Sequence, residues 1–158
     1  MNQMEKPDLR PIMLIEDERT DAILIRRAFE KAGVENPIQS IEHGDKALAW
    51  LEGIGEYQDR TIYPLPAFIL LDLKLPGMGG LQLLKWIRSR KDLRLIPVVV
   101  LTSSADAADV KSAYEAGANS YLLKPADRNE IYRVINIIQK YWLEHNMLPA
   151  LVLRASNP

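Results

Sequence analysis

The chain has 158 residues, room for one domain with a substantial core. Its 20 Lys and Arg against 21 Asp and Glu leave no bulk charge to draw nucleic acid or an anionic membrane. The absence of cysteine excludes disulfides, thiolate metal sites and a cysteine nucleophile, and it suits a reducing cytoplasm. Residues Met1 to Pro11 are polar and acidic rather than a signal peptide, and no apolar run is long enough to cross a bilayer.

In chain order, residues 1–10 read as a flexible arm, 11–140 as the folded domain and 141–158 as an extension of the last helix with a tail. Pro11 to Ile15 is an apolar strand running into Glu16-Asp17-Glu18. Thr20-Asp21 is expected to cap a helix with Ile23, Ile25, Ala28, Phe29 and Ala32 on one face, stopped at Gly33. Pro37 to Ile41 is a weaker strand, and Gly44 to Leu51 opens a second helix with Ala47, Leu48 and Leu51 inward. Residues 53–66 carry glycines and prolines and read as an irregular loop of functional or mobile character.

Phe68-Ile69-Leu70-Leu71-Asp72 is the stretch around which the rest is arranged. An uninterrupted apolar run suits a strand buried on both faces, and Pro76-Gly77 forces a turn soon after Asp72. Gly79-Gly80 leads into a helix to about Arg90 with Leu83, Leu84 and Ile87 inward; Asp92 to Leu95 is a linker. Ile96 to Leu101 is a second buried strand, ending at Thr102-Ser103-Ser104. A helix from about Asp106 to Ala116 stops at Gly117, Ser120 to Leu123 is a fifth strand ending at Lys124-Pro125, and a last helix spans Asp127 to His145 with Ile131, Val134, Ile135 and Ile138 inward. Strands alternating with amphipathic helices predict an α/β fold, (βα) five times over, with a parallel sheet covered on both faces.

In such a sheet the strand ends Glu16-Asp17, Asp72, Thr102 and Lys124 share one edge, with neighbouring strands about 4.8 Å apart. Three carboxylates that close repel one another unless a cation sits among them. Oxygen donors without His or Cys suit a hard ion, Mg2+ or alternatively Mn2+. One carboxylate could then attack phosphorus, while Thr102 and Lys124 hold the phosphoryl oxygens.

These residues, in this order, resemble the receiver domain of two-component response regulators, over residues 11–140. The resemblance implies a flavodoxin-like sheet in the order 2-1-3-4-5. It implies Asp72 as phosphoacceptor, Asp17 as a direct metal ligand, Glu16 as a ligand through water, and the Lys74 backbone carbonyl as a further donor. Thr102 would be the switch hydroxyl, Tyr121 its aromatic partner, Lys124 the phosphate partner, and Pro125 would follow a cis bond. The partner implied is a sensor histidine kinase. The 53–66 connection, the ending Tyr141 to Pro149 and the lack of an output domain are similar to regulators paired with phytochrome-type kinases. A haloacid-dehalogenase-like phosphohydrolase is the enzyme alternative, but it needs an acid two residues past the nucleophile, where this chain has Lys74. A receiver-like module that takes no phosphate, and an electron carrier whose FMN phosphate the acids would repel, are the others.

Three further expectations follow. Lys74, two past Asp72, is expected to lengthen the life of a phosphoryl group there. The apolar excess of the last helix and tail, with Tyr141 and Trp142 foremost, predicts a homodimer. His43 and His145, far apart and without partner ligands, have no metal or phosphorelay role, and Arg26-Arg27, Arg88-Ser89-Arg90-Lys91 and Glu18 read as solvated.

Overall fold

The computed structural model describes residues 8–150. Five strands, β1 (Ile12–Ile15), β2 (Ile38–Ile41), β3 (Phe68–Leu71), β4 (Val98–Thr102) and β5 (Ser120–Leu123), alternate with α1 (Arg19–Lys31), α2 (Gly44–Glu52), α3 (Gly80–Ser89), α4 (Ala107–Glu115) and α5 (Ile131–Gln139). The strands form one parallel sheet in the order β2-β1-β3-β4-β5, the flavodoxin-like order that the resemblance implied. Among the described residues, no helix is long and apolar enough to cross a membrane.

Side chains alternate across each strand, and the core divides accordingly. Met13, Ile15, Ile69, Leu71 and Val98 pack against Ala47, Trp50 and Leu51 of α2 and Leu83, Leu84 and Ile87 of α3. Ile12, Leu14, Phe68, Leu70, Val99 and Leu101 face Ile25, Ala28 and Phe29 of α1 and Ile131, Ile135 and Ile138 of α5. The central strands are apolar without a break because helices cover them on both sides.

Register fixes the site. Ile15 lies beside Leu71, so Glu16 and Asp72 leave adjacent strands at the same level. Thr102 lies beside Leu123, which puts Lys124 one residue further along the same edge.

Several sequence expectations need correction. The cap of α1 is Glu18, whose carboxylate accepts the Thr20 N–H at 3.3 Å, so the cap lies two residues before the Thr20 expected, and Glu18 is engaged rather than merely solvated. Ile23 points to solvent, because the buried stripe runs through Ile25, Ala28 and Phe29. No peptide bond among the described residues is cis, so Lys124-Pro125 is trans, the form X-Pro prefers by roughly 0.5–1 kcal/mol.

Residues 53–66 are more ordered than an irregular loop. A 3-10 turn spans Gly55–Tyr57. The rings of Trp50, Tyr57 and Tyr63 meet with centroids 5.0–5.4 Å apart, and the Trp50 indole N–H donates to the Pro64 carbonyl at 3.0 Å. Arg60 donates to the carbonyls of Trp50 at 2.6 Å, Leu51 at 2.8 Å and Tyr63 at 3.2 Å. A guanidinium thus satisfies carbonyls that the end of α2 leaves open.

Arg88 is likewise not solvated. It leaves α3 to donate to the carbonyls of Arg94 at 3.0 Å, Ile96 at 2.8 Å and Gly117 at 2.9 Å, and to the Asn119 side-chain oxygen at 2.9 Å. The last helix starts with a 3-10 turn over Arg128–Glu130, capped by Asp127, and runs past α5 as a π-helix over Lys140–His145. Trp142, expected at an interface, is only 9% exposed. It stacks on Phe68 at 6.2 Å between ring centroids, because the π turn swings it under the sheet. Tyr141 stays exposed.

Candidate phosphoryl and metal site

The strand β3 delivers Asp72 at the edge of the sheet, 6% exposed, and Gly80 at the start of α3 lies against its backbone. A Cβ at Gly80 would overlap the Asp72 carbonyl oxygen and come within 2.8 Å of the Leu73 Cα, so only glycine lets α3 start so close to the acceptor strand. The Lys74 N–H donates to Asp72 Oδ1 at 3.2 Å, while the Lys74 side chain is exposed. Glu16, 2% exposed, follows β1 and accepts the Glu18 N–H at 3.2 Å. Asp17 beside it is exposed.

Lys124 follows β5 and brings its ammonium onto three carboxylates. Its Nζ donates to Asp72 Oδ2 at 2.9 Å, to Glu16 at 2.9 Å and to Asp21 Oδ2 at 3.0 Å. Asp21, expected to cap a helix, is therefore a member of this cluster. No local signal sets it apart from an ordinary acid in a first helical turn.

Burial pushes the Glu16 carboxyl up to about 8, more than the Lys124 bond pulls it down. Asp72 is equally buried, but hydrogen bonds from Lys124 and from Glu16 and the nearby ammonium charge outweigh that burial and hold its carboxyl below the usual range. For Lys124 burial favours the neutral amine, and the bonds to Glu16, Asp72 and Asp21 overcome it, so the group is held firmly protonated. Asp72 thus stays anionic beside a fixed cation.

Oxygens of Glu16, Asp17 and Asp72 lie within 4.8 Å of one another. Three carboxylates with no nitrogen or sulfur donor fit a hard divalent cation. Thr102 at the end of β4 is fully buried, and its Oγ1 has no hydrogen-bond partner. A buried hydroxyl without a partner is uncommon and marks a place where an acceptor is due. Tyr121 on β5 does not bond Thr102; its hydroxyl donates to the Ser104 carbonyl at 2.8 Å and braces the loop into α4. In that loop Ser104 Oγ donates to Asp109 at 2.5 Å, and Asp106 caps α4 through the Ala108 N–H at 2.9 Å. Ser104 belongs to the loop Ser103 to Asp106, which the sequence marks together with Thr102 as the element a phosphoryl group would bias; Asp109 and Gly80 carried no such signal.

Residues 12–136 match the response regulator receiver domain. The chain belongs to that family. It is 40% identical over 146 residues to the probable methanogenesis regulatory protein FilR2 of Methanothrix harundinacea, covering 92% of each chain. It is 36% identical over 139 residues to the response regulator Rcp1 of Synechocystis, covering 88% of this chain and 92% of that one. The structure of the phosphorylated cyanobacterial phytochrome response regulator RcpA superposes with a TM-score of 0.84 at 33% identity, over 89% of this chain and 99% of the other. Rcp1 itself, solved in a Mn2+-bound form, gives 0.83 at 35% identity over the same shares. In this receiver domain the acidic cluster, the buried hydroxyl of Thr102 and Lys124 all stand at the C-terminal ends of the strands. Its relatives among phytochrome response regulators set it in that branch of the family.

Proposed function

We propose that the protein is a phosphorylation switch in which Asp72 accepts the phosphoryl group of a phosphohistidine on a sensor kinase. The observation that carries this reading is the Asp72 carboxylate, anionic and bonded at 2.9 Å to a buried Lys124 ammonium. An Asp72 oxygen attacks phosphorus as the P–N bond to the kinase imidazole breaks. The bonding pair leaves with the imidazole, and an acyl phosphate remains on Asp72. Lys124 is placed to follow a phosphoryl oxygen, and Thr102 to donate to another, as charge spreads over them.

Mg2+, with Mn2+ as a substitute, would be held by Asp17, Asp72, Glu16 and the Lys74 carbonyl, and would neutralise the carboxylates and the phosphoryl oxygens. Catalysis is confined to the chain's own phosphorylation and dephosphorylation. The similarity to the phytochrome response regulator RcpA supports a phytochrome-type kinase as the partner.

The homodimer belongs to the same reading. Ile137, Tyr141, Tyr114 and Leu95 are exposed around a groove of about 630 Å³ floored in part by Trp142. Tyr141 and Ile137, rather than Trp142, would meet a second copy; Leu151 to Leu153, also expected there, lie outside the described residues. Trp142, as a core residue, would act only by supporting that face.

Acetyl phosphate with Mg2+, followed by intact mass, tests the acceptor. Wild type should gain one phosphoryl group, and both Asp72→Asn and chelator should abolish the gain. Labelling of Asp72→Asn at the wild-type level would end the assignment. Slower loss of the label in Lys74→Asn than in wild type would remove the proposed protection by Lys74. Light scattering on a sizing column tests the dimer, which Tyr141→Ala should weaken.

A further inference from the structure

Lys124 has three N–H donors, and each meets a carboxylate: Glu16, Asp72 and Asp21. Two of these acceptors serve a second purpose. Glu16 and Asp72 belong to the set of oxygens that could hold a divalent cation; Asp21 does not, among the described residues. A dication among Glu16, Asp17 and Asp72 draws their lone pairs toward itself and repels an ammonium lodged on the same oxygens. Lys124 would then be expelled from the place where it is needed, beside Asp72, unless something else held it.

Asp21 stands on the other side of the ammonium. It sits in the first turn of α1, and Lys124 leaves β5 toward α5. The two meet across a narrow cleft lined by Leu24, Ile25, Pro125 and Ile131, with the lysine side chain 12% exposed and the aspartate 23%. Packing of α1 on α5 fixes both ends of the pair.

We propose that Asp21 is a positioning residue that keeps Lys124 facing Asp72 when a divalent cation occupies the other carboxylates. The proposal rests on the metal and acceptor assignments above. It gives the ammonium one acceptor that the metal does not share, so that cation and lysine serve Asp72 together rather than displacing each other. Asp21 touches neither the phosphoryl group nor the metal; it acts through Lys124.

The test reads Lys124 itself. The full chain is treated briefly with an amine-acylating reagent, with and without Mg2+, and acylation at Lys124 is counted by peptide mass against the exposed Lys46, Lys85 and Lys111. Wild type should be protected in both conditions. Asp21→Asn should be protected without Mg2+ and become about tenfold more reactive with it, as the remaining charge-assisted bonds yield to the cation. Asp21→Glu, which can still reach the ammonium, should restore protection. Equal reactivity of wild type and Asp21→Asn in Mg2+ overturns the proposal. So does a rise in Asp21→Asn that is the same with and without Mg2+, the mark of a merely structural contact. Acetyl phosphate labelling of the same samples keeps the two readings apart: an unlabelled wild-type Asp72 overturns the acceptor assignment, whereas lysine reactivity alone judges Asp21.

Discussion

The helices α3 and α4 occupy equivalent places and are built to different standards. Each follows a core strand, and each begins a few residues after a site side chain, Asp72 or Thr102. The helix α3 buries Gly80, Leu83, Leu84 and Ile87, and its first residue touches the backbone of the acceptor. The helix α4 is nearly as long but buries only Ala113, with Tyr114 half exposed. Its near end hangs on single hydrogen bonds, donated by the Ser104 and Tyr121 hydroxyls and accepted by the Asp106 carboxylate. Segments with few buried apolar contacts open at lower free energy than the rest of a domain. One helix is anchored against the strand end that carries Asp72; the other is held far more lightly.

The largest test of this contrast is Leu84→Ala in α3, expected to cost about 2–5 kcal/mol in urea unfolding, against less than about 1 kcal/mol for Val110→Ala in α4. Equal losses would remove the distinction. Next comes Thr102→Val. The hydroxyl it deletes is buried without a partner, so the unphosphorylated protein should gain on the order of 1 kcal/mol of stability, since an orphan donor carries its full desolvation cost. The same variant should lose any change in α4 hydrogen exchange on phosphorylation. A destabilised Thr102→Val would mean that the hydroxyl has a partner at rest.

Tyr121→Phe removes one hydrogen bond to the Ser104 carbonyl and should cost about 0.5–1.5 kcal/mol. Faster exchange should be confined to residues 103–110 and leave α3 untouched. The smallest effect lies outside both helices. The Arg10 guanidinium beside Asp8 holds that carboxyl below its usual value. A depressed carboxylate adds stability above the unfolded value near 3.9 and loses it as pH falls through the folded value. With both side chains partly exposed the gain should stay below about 1 kcal/mol. Thermal melts of wild type and Asp8→Asn should differ slightly at pH 7 and converge as pH falls below about 4.

Much of this was legible in the sequence because the central strands are buried on both faces. Phe68 to Leu71 and Val98 to Leu101 could hardly be anything else, and the polar residue ending each run marked the site. What escaped depended on side chains meeting across the fold. Asp21 looked like a cap because caps are the commonest use of an early helical aspartate, and only the packing of α1 on α5 brings it to Lys124. Arg88 looked solvated because nothing local shows which carbonyls it will reach. Trp142 looked like an interface anchor because the turn that brings it under Phe68 departs from α-helical periodicity.

Arg88 also sets the mechanics of α4. Its bond to the Gly117 carbonyl ties the far end of that helix to α3, and Asn119, held by the same guanidinium, is bonded to β4 through the Val98 N–H at 2.8 Å. A rod of nine residues, about 13 Å long, is thus clamped at one end and lightly latched at the other. Such a rod pivots more readily than it slides. A displacement at Ser104, two residues past Thr102, would swing the near end of α4 through an arc with Gly117 as the fulcrum.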